Sequence, residues 1–67
     1  MNYKYILKEI RKANEYVIET FDSLNKYEIH HNNKYLAICK EYITEIDEIL
    51  SNLEIEINSR LEEDNNE

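Results

Sequence analysis

Glycine and proline are both absent from this 67-residue sequence, and cysteine occurs once. Without Gly or Pro the chain lacks the usual residues of tight β-turns, β-bulges and glycine-rich phosphate loops. Long helices joined by very few reversals are what remain. A single cysteine, Cys39, allows no internal disulfide, and pairs of zinc-type ligands are missing. No apolar run approaches the roughly 20 residues that span a bilayer. The start, MNYKYILKEIRK, mixes charge into its apolar residues and has no small-residue cleavage site, so it does not read as a secretory signal. These absences predict a cytoplasmic protein with no membrane partner, no metal and no cofactor.

A chain this short buries too little apolar surface to be comfortably stable alone. With a disulfide and a metal set aside, self-association is the remaining remedy. Isoleucine, asparagine, lysine and tyrosine make up nearly half of the chain. All four have AT-rich codons, which points to a low-GC bacterium, its phage or a plasmid.

What is present is helical periodicity. From Lys34 to Leu61, apolar side chains recur at Leu36, Cys39, Tyr42, Ile43, Ile46, Ile49, Leu50, Leu53 and Ile57. Steps of three and four place them along one side of a helix. Leu53-Glu54-Ile55-Glu56-Ile57 alternates as a strand would, but it has no visible partner strand, and Ile57 and Leu61 continue the stripe. Before this, Tyr3, Ile10, Val17 and Leu24 repeat every seven residues, with Ile6, Ala13, Thr20 and Tyr27 as companions and Leu7 and Phe21 alongside. That pattern predicts a heptad seam. Asn2 is the expected cap of the first helix.

Between the two, Ile29-His30-His31-Asn32-Asn33 breaks the pattern. Asparagine tolerates left-handed backbone after one helix and caps the next, so the Asn pair is the expected turn. The predicted organisation is a helix over about 2–28, a turn at about 29–33, a helix over about 34–61, and an acidic, disordered tail at 62–67. Residues 1–61 form the hairpin domain.

Charge is unevenly spread within a net −7. Residues 1–12 hold Lys4, Lys8, Arg11 and Lys12 against Glu9, whereas residues 41–67 hold ten acids against Arg60. Cations at a helix start and anions at a helix end oppose the helix dipole. An antiparallel hairpin lays the two clusters side by side, and the short turn demands the same arrangement. One neighbour covers only part of each stripe, so the expected fold is an all-α, antiparallel two-helix hairpin that dimerises into a four-helix bundle. The predicted dimer core is Cys39, Tyr42, Ile46, Ile49, Leu50 and Leu53. In plan this arrangement resembles the small plasmid-encoded RNA-binding hairpins that dimerise, in architecture and without a shared motif.

No constellation fixes a chemistry. His30, His31 and Cys39 are the soft ligand types, but adjacent turn histidines point different ways and Cys39 lies on the core stripe. A cysteine nucleophile needs a base, an oxyanion hole and a pocket, which two helices do not offer. The acids of the second helix mostly lie off the apolar stripe, with Glu56 as the exception; a solvated face is the ordinary reading of such a run. The sequence therefore predicts a non-enzymatic regulator or inhibitor, phage- or plasmid-encoded, that binds a basic, nucleic-acid-binding host protein. Glu41, Glu45 and Glu48 would form the docking surface, with Tyr5 and Tyr16 as further partner-binding residues. The alternatives are an RNA- or DNA-binding hairpin that uses the basic N-terminal cluster, and a purely structural dimerisation module. Net negative charge weighs against nucleic acid.

Overall fold

Two α-helices and the two residues between them account for all the described residues. The computed structural model describes residues 3–65, in which α1 spans Tyr3–His30 (28 residues) and α2 spans Asn33–Asn65 (33 residues). The helices pack against each other along α1, which makes the chain the expected all-α hairpin. Leu53 to Ile57 is helical despite its alternation. α2 also runs past the expected end at 61 to Asn65, through glutamates that propagate a helix readily. The predicted cap Asn2 and residues 66–67 of the predicted tail lie outside the described residues.

The reversal is built differently from the sequence expectation. His31, not an asparagine, takes the left-handed conformation, with φ at 54°. Its N–H donates to the Tyr27 carbonyl at 2.7 Å, the single bond that closes an αL cap. Histidine is among the non-glycine residues that enter this region. Asn32 then caps α2: its Oδ1 accepts the Lys34 N–H at 2.9 Å, and its carbonyl accepts the Tyr35 N–H at 3.1 Å. Rings brace the corner. Tyr27 meets His31 edge-on at 6.0 Å, His30 lies 5.8 Å from Tyr35, and Lys34 Nζ sits 5.0 Å from the Tyr35 centroid.

The seam between the helices follows steps of three and four. On α1 the half-buried or buried residues are Ile6, Glu9, Ala13, Tyr16, Thr20, Ser23 and Tyr27; on α2 they include Tyr35, Cys39, Tyr42, Ile46, Ile49, Leu53 and Glu56. These are the a and d positions of a heptad. The companion set Ile6, Ala13, Thr20 and Tyr27 is therefore in the seam as expected. The more apolar set is not: Tyr3, Ile10, Val17 and Leu24 are all exposed. α1 turns the small side chains of Ala13, Thr20 and Ser23 toward α2, with Tyr16 and Tyr27 in the same seam. Cys39 Sγ can then donate to the Thr20 carbonyl across the seam at 3.7 Å.

The resulting object is a slab of 56 × 17 × 11 Å, two helices wide and one helix thick. Its radius of gyration is 16.1 Å, against about 11 Å for a compact domain of this length. Among the described residues the buried hydrophobics are Ala13, Cys39, Ile49 and Leu53, and no large side chain is fully buried. Neither helix has a stretch long and apolar enough to cross a membrane.

Candidate interaction surfaces

Three surfaces carry a distinct chemistry. The first is acidic. Glu41, Glu45 and Glu48 are exposed on α2 and take no ion pair among the described residues. Spacing by four and three lines them along one face. Asp47 is exposed on the same stretch, and no cation interrupts the sequence between Lys40 and Arg60. Glu56 is half-buried at the end of the seam, as its place on the stripe implied.

The second surface is basic. Lys4, Leu7, Lys8, Arg11, Lys12 and Glu15 line an open groove of about 420 Å³ on the first turns of α1. The hairpin does set this segment beside the acidic half of α2, but none of the four cations forms an ion pair with α2 among the described residues. The pairs that do form are intrahelical: Lys26–Asp22 at 2.9 Å and Arg60–Glu63 at 3.4 Å. The Asp22 carboxylate, by hydrogen bond and by charge, raises the Lys26 ammonium above its ordinary value of 10.5. Opposed charge is thus set side by side without a cross-helix ion pair among the described residues.

The third surface is apolar, and the sequence reading did not isolate it. One step around from the a positions, at heptad position e, α1 carries Tyr3, Ile10, Val17 and Leu24, while α2 carries Leu36, Ile43, Leu50 and Ile57; all eight are exposed. In an antiparallel pair the two e rows flank the same side of the seam. A cavity of about 190 Å³ opens there, lined by Val17, Thr20, Phe21, Leu24 and Ile46 from both helices. The opposite flank is mostly polar, with Lys12, Glu19 and Lys26 on α1 and Glu45, Asn52 and Ser59 on α2.

The predicted site residues divide accordingly. Cys39, Ile49 and Leu53 are buried within one hairpin, Ile46 and Tyr42 are half-buried at the seam, and Leu50 stands on the apolar flank, 53% exposed. Tyr16, expected on the outside, is half-buried and lies against Tyr42. It belongs to the seam because that seam runs through the d positions 9, 16 and 23, not through the greasier row. Tyr5 is 40% exposed on the polar flank. His30 and His31 are exposed in the corner, apart from the buried Cys39. Among the described residues no group of three or more His, Cys, Asp or Glu side chains is placed to hold a metal. Comparison with protein-family models, with curated proteins and with solved structures finds no match to this chain.

Proposed function

We propose that this hairpin is a non-enzymatic regulator that works by binding another protein, with a homodimer as its working form. The observation that carries the reading is the acidic face at Glu41, Glu45 and Glu48, exposed, uncompensated and set away from the apolar flank. Like charges at these spacings cost a few tenths of a kcal/mol per pair in an isolated helix. A basic partner relieves that repulsion and is steered in from solution. The partner chemistry this surface fits is a cationic, nucleic-acid-binding protein surface.

The test uses an arginine-rich peptide as probe, titrated at low and moderate salt. Binding should weaken as salt rises. Replacing Glu41, Glu45 and Glu48 together by Gln should lower affinity more than replacing Glu54, Glu62 and Glu63, which removes the same charge elsewhere. Equal losses from the two triple variants would reduce the face to a solvated surface.

The basic groove favours a second reading, in which Lys4, Lys8, Arg11 and Lys12 take the phosphates of RNA or DNA. Salt-sensitive binding of a random RNA, lost with Lys8→Gln and Arg11→Gln and untouched by the acidic triple variant, would favour that reading over the first.

A further inference from the structure

From the apolar flank we infer that a second copy of this chain covers the face formed by Ile10, Val17, Phe21, Leu24, Ile43 and Leu50. The inference rests on the homodimer proposed above and says which surface makes it.

The register supports a built face. Tyr16 lies beside Tyr42 and Cys39 beside Thr20. The same register sets Ile10 level with Leu50, Val17 with Ile43, and Leu24 with Leu36. Apolar side chains therefore form successive rungs across both helices, on one side only. Between the rungs the cavity beneath Val17, Phe21, Leu24 and Ile46 has no polar atom in its exposed lining. Such a hole is what a facing side chain fills in a helical bundle. Phe21, 65% exposed at its rim, is the largest side chain able to serve as that knob.

Size supports the same occupant. The hairpin is 17 Å across. The helices run together for the length of α1, about 42 Å at the helical rise. That sets a ceiling of about 700 Å² on each copy and about 1,400 Å² in all, which reaches the standard range for a specific interface. A slab one helix thick has no second layer, and stable domains are built of two. With so few residues buried in the hairpin, the cover has to be present whenever the chain is folded. A copy of the chain meets that condition. The e positions from Tyr3 to Leu24 on α1 and from Leu36 to Ile57 on α2 are uncharged, so two copies meet through a neutral centre, with Glu28, Lys40, Asp47 and Glu54 along its outer edges and Glu41, Glu45 and Glu48 off it.

The experiment is analytical ultracentrifugation of the full chain over a wide concentration range, with circular dichroism alongside. The wild type should sediment as a dimer. Val17→Asp and Leu50→Asp should each raise the dissociation constant by about 100-fold or more, since each buries an unpaired charge. Ile18→Asp and Ile55→Asp, at exposed apolar positions off the face, should change it little. Val17 and Leu50 are exposed on the single hairpin, so unfolding by these two changes, without unfolding by Ile18→Asp, also shows that their face is covered. A wild type that is folded and monomeric at high concentration overturns the dimer itself. A dimer that survives both Val17→Asp and Leu50→Asp with unchanged affinity overturns the face while leaving the dimer standing.

Discussion

Tyr16 of α1 and Tyr42 of α2 lie against each other in the seam, with ring centroids 5.5 Å apart and planes inclined at 33°. An offset, tilted contact suits two aromatic quadrupoles better than a flat sandwich. With the Cys39–Thr20 contact, it marks the register of the helices. A double-mutant cycle with Tyr16→Leu and Tyr42→Leu, read by urea unfolding, should give a coupling energy of about 0.5–1.5 kcal/mol. Strictly additive changes would show that the rings touch without stabilising.

Burial separates isoleucines and leucines that composition cannot. Leu53 is 6% exposed and packs in the cluster with Ala13 and Ile49, whereas Ile29 is 72% exposed. Leu53→Ala should cost about 2–5 kcal/mol, from lost transfer energy and the cavity left behind. Ile29→Ala should stay within about 0.5 kcal/mol of wild type. Chemical denaturation of both variants at equal concentration checks the contrast.

The corner rests on two backbone features, and each has its own substitution. Asn32→Ala removes the acceptor of the Lys34 N–H and should cost about 1 kcal/mol, while Asn32→Asp retains the cap. His31→Val forces a β-branched residue into left-handed backbone and should cost about 1–2 kcal/mol. His31→Asn should be tolerated. Thermal melts of the four variants distinguish a cap effect from a backbone effect.

Lys26 gives a pH signature. Its hydrogen bond and charge pairing with Asp22 raise its value above 10.5 in the folded chain. The stabilisation is therefore complete below the ordinary lysine range and lost as pH rises through the folded value. Because both side chains are half in water, the effect is small. The difference in melting temperature between wild type and Lys26→Gln should shrink as pH is raised above 10.5, and salt should shrink it at neutral pH as well.

Helix number, the hairpin and the position of the corner were legible because they follow from strong local signals. Absent glycine and proline forbid most alternatives, and Cys39, Tyr42, Ile46, Ile49 and Leu53 keep helical period over many turns. Which side of α1 meets α2 was not legible. Apolarity alone ranks Tyr3, Ile10, Val17 and Leu24 above Glu9, Thr20 and Ser23, yet the seam runs through the row that holds Glu9, Thr20 and Ser23. The outward place of the larger row could have been suspected from α2, where Leu36, Ile43, Leu50 and Ile57 repeat every seven residues beside the seam residues. Two stripes on one helix imply two neighbours. The left-handed residue was misassigned because the asparagines were needed one step later, where Asn32 serves α2.

The apolar rungs occupy one flank of the hairpin and the other flank is mostly polar. In the dimer inferred above, that asymmetry would set a stoichiometry. A surface that meets its own copy about a two-fold axis is used up in the act, with each hairpin at once host and guest. Filaments need a second patch, elsewhere on the molecule, that fits the first. Here the large exposed apolar side chains away from the rungs and Phe21 are Tyr5, Leu7, Ile18, Ile29, Ile55 and Leu61 among the described residues, and Leu7 stands among Lys4, Lys8 and Arg11. In the dimer inferred above the flank is shared between two copies, so assembly through it would end at a pair.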